Sequence, residues 1–307
     1  MKRTSPWLLA LILVALSLPA LAGREFLVDA DWLTAHVDDR NLVILEVRYH
    51  PHRYFSVGHI PGAVQVQRFK DLGDNDANPL MRFPSRQAFQ ATLRRWGVND
   101  DSTVVIYDDS RTALASRLYF LLELYGYDMG RVKVLNGGTL EWTAFEQLSK
   151  APVTPAPGHV TLSEADPRLF VEWTAIYVDV LARRTPSVIL LDARPHSQYT
   201  GEVVRHAVRG GHIPGAINVV SLDGTDSQSQ TWLPEAALAQ MYRGLPRDST
   251  IYVYCHDGFR MSLAYMQLKS LGYPDVRLYN GGWAHWGNRL TLPVVEGPEP
   301  FDEAFVL

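Results

Sequence analysis

The chain contains two copies of one sequence pattern, and this duplication restricts the folds that it can adopt. The pentapeptide HIPGA begins at His59 and again at His212, 153 residues later. Further along, VLNGGTLEW returns as LYNGGWAHW. Between these two matches VVIYDD aligns with YVYCH, which places Asp108 opposite Cys255. Three matches in the same order predict a duplicated domain whose copies differ in loop length.

Each copy alternates short β-rich runs with helical ones. In the second copy, apolar runs at 188–191, 250–254 and 276–279 predict buried strands. Residues 261–271 have leucine and alanine at helical spacing, and Gly272 then marks a helix end. Strands that alternate with helices form parallel sheets covered on both faces. The sequence therefore predicts an α/β protein with two tandem domains, each a mainly parallel sheet with helices on both faces.

The first residues have the pattern of a secretory signal peptide. Lys2 and Arg3 precede an apolar stretch of twelve residues, and ALA then supplies the small residues of a cleavage site before Gly23. A membrane-spanning helix would need roughly 20 apolar residues. We therefore expect residues 1–22 to be removed on export, to a bacterial periplasm, and the mature chain to have no membrane span.

A proline-rich segment divides the mature chain. KAPVTPAPGHV has three prolines and is expected to be an extended linker. The predicted parts are an N-terminal domain at 23–149, the linker at 150–163 and a C-terminal domain at 164–307. A net charge of −4 without clustered Lys and Arg indicates no nucleic-acid partner. One cysteine and ten histidines without zinc-type spacing indicate no metal and no cofactor.

Cys255 is the only cysteine of the chain, although exported proteins usually carry cysteines in pairs. An unpaired thiol is either a small buried packing residue or a reactive group. Cys255 directly follows the predicted strand 250–254, at the carboxyl end where open α/β sheets bind ligands. This position favours a reactive thiol.

The loop CHDGFR, which begins at Cys255, has the features of an anion site. Between a strand and a helix, successive N–H groups point inward, and the positive end of the helix dipole adds to them. Gly258 can adopt the positive φ that a tight loop requires, and Arg260 adds a positive charge. The same dipoles predict a depressed pKa for the Cys255 thiol. The loop amides expected to bind an anion are those of His256, Asp257, Gly258 and Phe259.

In combination, these motifs resemble the rhodanese, or sulfurtransferase, family of the tandem two-domain type. Each copy has EVR or DAR at a strand end, a GHIPGA segment and an NGG run, and the second copy adds the loop C-x-x-G-x-R. The resemblance covers nearly all of the mature chain. It implies that Cys255 takes sulfur from a small anionic donor as a persulfide and passes it to cyanide or a thiol. Because Asp108 cannot carry sulfur, the N-terminal domain is expected to be catalytically silent.

Two further positions have alternative interpretations. Arg194 ends the DAR strand on the same rim as Cys255, so we expect it, with Arg260, to bind the donor. A structural salt bridge is the alternative, since Arg48 occupies the same position in the silent copy. His212 has a twin in the silent copy and is expected to be structural.

The resemblance also bears on the donor. The family divides mainly between thiosulfate and 3-mercaptopyruvate, and enzymes of the mercaptopyruvate type carry the loop C-G-S-G-V-T and a second arginine where this chain has Gln198. Thiosulfate is therefore favoured. Related phosphatases and arsenate reductases have the longer loop C-x5-R, whereas Cys255 and Arg260 enclose four residues. A persulfide carrier that serves a protein acceptor is a third alternative, because it would need the same loop.

Overall fold

The computed structural model describes residues 23–79 and 81–301, so the predicted signal peptide lies outside the described residues. The N-terminal sheet has five strands: β1 Leu27–Val28, β2 Leu42–Val47, β3 Val64–Val66, β4 Thr103–Asp108 and β5 Val132–Leu135. All pairings are parallel, and the order is β1-β5-β4-β2-β3. The two longest strands, β2 and β4, pair over their full length, so their carboxyl ends meet at one edge.

The C-terminal sheet repeats this arrangement. Its strands are β6 Phe170–Val171, β7 Val188–Asp192, β8 Ala216–Asn218, β9 Thr250–Tyr254 and β10 Val276–Tyr279. The order β6-β10-β9-β7-β8 corresponds strand by strand to that of the first sheet, and all pairings are again parallel. The predicted duplicated α/β fold is confirmed, with the strand at 188–191 extended by one residue.

Helices connect the strands of both sheets. The N-terminal domain has α1 Ala30–His36, α2 Arg53–Ser56, α3 Arg68–Asp71, α4 Arg86–Arg95, α5 Ala115–Leu124 and α6 Gly138–Thr143. The C-terminal domain has α7 Trp173–Ile176, α8 His196–Tyr199, α9 Glu235–Met241, α10 Phe259–Ser270 and α11 Gly282–Trp286. Short 3-10 turns lie at Met129–Arg131 and Ser221–Gly224, and a π-helical segment at Tyr177–Ala182. None of the helices in the described part of the chain is long and apolar enough to cross a membrane.

Helices α5 and α10 pack against each other and join the two domains. The rings of Phe120 and Tyr265 meet edge to face with their centroids 5.0 Å apart. The Ser116 hydroxyl donates to the carbonyl of Phe259 at 3.3 Å. Buried side chains of both helices belong to one continuous core. Since α5 follows β4 and α10 follows β9, the interface is built from equivalent helices of the two copies.

The proline-rich linker at 150–163 contains no helix or strand and is bonded to the N-terminal domain. The Gly158 N–H donates to the carbonyl of Arg94 at 2.7 Å, and Arg94 Nε donates to the carbonyl of Val160 at 2.9 Å. Val160 and Leu162 are buried in the core. These contacts hold the linker along α4.

Candidate active site

Cys255 lies at the carboxyl end of β9, where the chain turns from the sheet into α10. Because β9 pairs with β10 on one side and β7 on the other, its end is fixed in position. The Cys255 side chain is only 1% exposed. Its Sγ accepts a hydrogen bond from the Gly258 N–H at 3.2 Å. The sheet thus places one buried thiol beneath a loop amide.

The loop is short because Gly258 adopts a φ of 104° and serves as the N-cap of α10. The Met261 N–H, in the first turn of the helix, also hydrogen-bonds to Cys255. The sequence prediction named only the amides of residues 256–259. A second donor from the helix N-terminus therefore joins the amide of Gly258 at the sulfur.

The predicted depression of the Cys255 pKa is wrong. Burial raises the pKa of this thiol above that of an ordinary cysteine, and the negative charge of Asp257 raises it further. The Met261 N–H, the charge of Arg260 and the Gly258 N–H lower the pKa but do not outweigh burial. The expected dipoles and charge are present. The sequence pattern gives no measure of how far the thiol is withdrawn from water, and this withdrawal has the largest effect on its pKa.

The NGG motif supports the loop from behind. A Cβ on Gly282, which has a φ of 59°, would lie 2.5 Å from the carbonyl oxygen of His256 and 2.8 Å from that of Cys255. The Trp283 N–H donates to the Cys255 carbonyl at 2.7 Å, and the Ala284 N–H donates to the His256 carbonyl at 3.0 Å. The motif therefore fixes the backbone of the thiol and leaves no room for a side chain at the second glycine.

A cavity of about 1130 Å³ opens beside the loop and is lined by residues of both domains. The four residues His256, Asp257, Phe259 and Arg260 form part of its wall. The Arg260 guanidinium is partly exposed and is in no salt bridge with any residue in the described ranges. Its charge is therefore available to an anion that enters the cavity.

Further arginines and a histidine of the cavity wall were not predicted from the sequence. Arg68, Arg111, Arg205 and His206 also line it. With Arg260, four arginines face two aspartates, Asp109 and Asp257, along the wall. This excess of positive charge suits an anionic ligand.

One feature of the sequence, a difference in segment length between the two copies, indicates two of these residues. Arg194 to His212 spans 18 positions, whereas the matching segment from Arg48 to His59 spans 11. Arg205 and His206 lie in this longer segment. An insertion beside a candidate site in one copy alone is a reason to examine its charged residues.

Arg194 does not face the cavity in the manner expected. Its Nε and Nη2 bind both carboxylate oxygens of Asp192 at 2.5 to 3.0 Å, and Nη2 also donates to the Gly211 carbonyl at 2.8 Å. The side chain is 2% exposed and stacks 4.4 Å from the ring of Trp283. Arg48 and Glu46 form the same buried pair in the N-terminal domain. The geometry favours the structural salt bridge over donor binding.

The histidines of the two HIPGA motifs are held in equivalent ways. His212 bonds through its ring nitrogens to the carbonyls of Tyr199 and Glu299, and it stacks on the Tyr199 ring at 3.8 Å. His59 likewise uses both ring nitrogens on carbonyls and stacks on Tyr54 at 3.9 Å. Both rings are buried. This agrees with the structural role expected from the duplication.

Asp108 fills the anion site of the N-terminal domain with its own carboxylate. It accepts hydrogen bonds from the backbone N–H groups of Ser110, Thr112, Leu114 and Ala115 at 2.8 to 3.0 Å. The side chain is buried. The loop after β4 thus binds an internal anion where the loop after β9 presents a thiol.

Comparison with known proteins agrees with the duplicated fold. Residues 29–145 and 178–289 each match the family model of the rhodanese-like domain. The first match contains Asp108 and the second contains Cys255. The chain belongs to the rhodanese family, and the predicted resemblance is confirmed.

Comparison with individual relatives identifies the class of enzyme within this family. The chain is 34% identical to the thiosulfate sulfurtransferase of Corynebacterium glutamicum over 293 residues, which cover 90% of this chain and 92% of that protein. It is 30% identical to the sulfur carrier protein TtuD of Thermus thermophilus over 91% of this chain and 99% of that one. The crystal structure of the 3-mercaptopyruvate sulfurtransferase SseA from Escherichia coli matches with a TM-score of 0.73 and 29% identity, over 84% of this chain and 98% of that one. The protein is an enzyme of the sulfurtransferase class.

Proposed function

We propose that the protein transfers sulfane sulfur from thiosulfate through a persulfide on Cys255. The observation that carries this proposal is the single buried thiol, held beneath two amides in a loop whose neighbouring residues form part of the wall of a cationic cavity. A packing cysteine needs neither the amides nor the cavity. A persulfide needs both, because its terminal sulfur carries negative charge and must meet small anions.

The proposed reaction has two steps, and both use the Cys255 sulfur. The Cys255 thiolate attacks the outer sulfur of thiosulfate, the sulfur–sulfur bond of the donor breaks, and sulfite leaves with the bonding electron pair. Cyanide or a thiolate then attacks the terminal sulfur of the persulfide, and the Cys255 thiolate is restored. The amides of Gly258 and Met261 stabilise the charge on sulfur in both halves of the cycle.

Two positions of the cavity wall favour thiosulfate over 3-mercaptopyruvate as the donor. Arg260 offers an unpaired charge beside the thiol, which suits a compact dianion. Gln198 also lines the cavity, and its neutral amide gives no ion pair to a substrate carboxylate. An arginine would be the better partner for a carboxylate at that position.

The first experiment is the intact mass of the protein after brief incubation with thiosulfate or, separately, with 3-mercaptopyruvate. Cys255→Ser is the matched control, because the chain has no other cysteine. We expect thiosulfate to add one sulfur atom to the wild type and none to the control, and cyanide to remove it. Equal or faster loading by 3-mercaptopyruvate would reverse the donor assignment, and no loading by either would count against the proposed turnover.

A persulfide carrier is the second candidate function, and the similarity to TtuD favours it. A carrier takes up one sulfur and waits for a protein acceptor, while an enzyme cycles with small acceptors. Steady-state thiocyanate formation from thiosulfate and cyanide separates the two. Many turnovers per protein molecule support the enzyme, and a single stoichiometric release supports the carrier.

We also propose that the protein is exported to a bacterial periplasm. The support is the amino-terminal pattern of Lys2 and Arg3, an uninterrupted apolar stretch and ALA before Gly23. Amino-terminal sequencing of the protein purified from a cell fraction tests this. A mature protein that begins at Gly23 in the periplasmic fraction is the expected result, and an intact amino terminus in the cytoplasmic fraction would contradict it.

A further inference from the structure

Arg117 is a fully buried charge on the helix of the silent domain that packs against the C-terminal domain. It lies in the first turn of α5, whose sequence ASRLYFLLEL is otherwise largely apolar. The side chain is 0% exposed. A buried guanidinium is costly unless its donors and its charge are matched, so each of its contacts requires a reason.

Two of the three guanidinium nitrogens have partners within the N-terminal domain. Nε donates to the carbonyl of Leu72 at 3.2 Å, and Nη2 donates to the carbonyl of Met81 at 2.8 Å. The group also lies 4.7 Å from the centre of the Phe83 ring. Nη1 is buried and has no hydrogen-bond partner among the residues that the structure describes.

The unpartnered Nη1 points across the domain interface at the loop of Cys255. A Cβ placed on Gly258 would lie 2.8 Å from this atom and 3.1 Å from Arg117 Cζ. Gly258 is the residue whose N–H bonds to the sulfur. The loop therefore needs glycine at 258 for two reasons: its positive φ, and the guanidinium that lies against it.

Only one of the two copies has a charged residue at this position of the helix. Arg117 lies nine residues before Gly126, and the equivalent position in α10, nine residues before Gly272, is Leu263. The domain with Asp108 thus supplies an arginine across the interface, whereas the domain with the thiol has a leucine at the matching place. A purely structural contact between equivalent helices would not need this difference.

We infer that Arg117 is a positioning residue for sulfur transfer: from the silent domain it holds the loop at Gly258 and stabilises negative charge on the Cys255 sulfur. This inference rests on the proposed role of Cys255. Burial lowers the pKa of Arg117 to about 10, while Cys255 and Asp257 act to raise it, so the guanidinium is charged at neutral pH. From the loop itself, Asp257 opposes and Arg260 supports the charge on sulfur.

Titration of the thiolate absorbance near 240 nm tests the inference in the full-length protein without any turnover. The same titration of each variant in a Cys255→Ser background is subtracted, which removes the tyrosine contribution. We expect Arg117→Met and Arg117→Gln to raise the thiolate pKa by about one unit, a tenfold loss of thiolate at a fixed pH. Arg117→Lys keeps the charge, and we expect it to restore most of the wild-type value.

Arg94→Met is the matched control, because Arg94 also donates to a backbone carbonyl, that of Val160 in the linker, but lies on α4, away from the loop of Cys255. It should leave the thiolate pKa unchanged. An unchanged pKa in folded Arg117→Gln, or an equal rise in the Lys and Gln variants, would overturn the inference. If Arg117→Met does not fold, the Lys and Gln pair decides. Persulfide loading of the wild type is measured separately, so failure of the proposed function can be distinguished from failure of the inference about Arg117.

Discussion

At the scale of single residues, the side chain at one position, Asp108 or Cys255, distinguishes the two copies. The Asp108 carboxylate accepts four backbone N–H bonds and so satisfies its own anion site. At the same position Cys255 is shorter and receives the amides of Gly258 and Met261. The N-terminal copy therefore holds an internal carboxylate at this strand end, and in the proposed function the C-terminal copy uses the same place for the persulfide sulfur.

Arg260 is expected to matter for the donor more than for the fold. Its guanidinium is in no salt bridge within the described part of the chain and lines the cavity. We expect Arg260→Ala to lower kcat/KM for thiosulfate by roughly 100-fold, or ~2.7 kcal/mol, because a charged donor to the reacting anion is lost. Steady-state kinetics measure this, with Arg168→Ala, an exposed partner of Asp166, as control. Unchanged kinetics with thiosulfate would remove Arg260 from the site.

The raised pKa of Cys255 predicts how activity depends on pH. The thiolate is the nucleophile, and burial raises the pKa of this thiol, so its reactive fraction at neutral pH is smaller than in an ordinary cysteine. We expect donor kcat/KM to increase with pH and to level off above the usual thiol pKa of about 8.5. The pH profile of persulfide formation checks this. A plateau already reached at pH 7 would mean that the loop dipoles outweigh burial after all.

These residues divide into those that the sequence could identify and those that it could not. Cys255, Gly258 and Arg260 are adjacent in the chain, so a local pattern contains them. Arg194 was predicted at the donor but is held by Asp192, because the pattern DAR does not say which way its arginine points. Arg117 lies 138 residues before the thiol and reaches the loop of the thiol, at Gly258, only through domain packing.

At the scale of elements, each NGG motif supports one strand-end loop by close backbone approach. A Cβ on Gly138 would collide with the carbonyl of Asp108, just as one on Gly282 would collide with those of Cys255 and His256. Both glycines have positive φ. The motif also occurs in the domain that has no cysteine, which indicates that its first role is to hold the loop, whatever residue begins that loop.

This equivalence gives a matched pair of variants. Gly282→Ala and Gly138→Ala should each destabilise the protein by roughly 1–3 kcal/mol, since each forces a Cβ into a positive φ and against a carbonyl. Only Gly282→Ala moves the backbone of Cys255, so we expect it alone to reduce sulfur transfer, by about tenfold or more. Thermal unfolding and thiocyanate assays on both variants check this. Equal losses of activity would argue that the two loops are coupled through the interface.

The elements themselves were largely predictable because their signals are local. Strand β9 and helix α10 follow from an apolar run and from helical spacing. The helix predicted at 261–271 begins two residues earlier, at Phe259, and ends one residue earlier, at Ser270. The sequence predicts a linker at 150–163 but does not predict its attachment to α4. That attachment depends on backbone hydrogen bonds such as the one from Gly158 to Arg94, which leave no mark in the sequence.

At the scale of the whole molecule, the two domains enclose the thiol together. The cavity wall contains residues of both domains, and α5 packs on α10 within one continuous core. Cys255 is 1% exposed in this arrangement. If the protein is exported as proposed, this enclosure limits contact of its lone thiol with disulfides and bulky oxidants in an oxidising compartment.

Enclosure predicts that Cys255 discriminates thiol reagents by size. For each cysteine, the rate of modification by a polymer-linked maleimide is divided by the rate of modification by iodoacetamide. We expect this ratio to be roughly 100-fold smaller for Cys255 in the native protein than for an exposed thiol. Such a ratio corresponds to ~2.8 kcal/mol for a local opening. Val208→Cys in a Cys255→Ser background supplies the exposed reference, because Val208 is 67% exposed. Dividing the maleimide rate by the iodoacetamide rate removes the effect of the raised thiol pKa.

If the two cysteines give the same ratio, the domains do not protect the thiol. If the ratio for Cys255 rises toward the reference when Phe120→Ala loosens the contact with Tyr265, the packing of α5 on α10 is what closes the site.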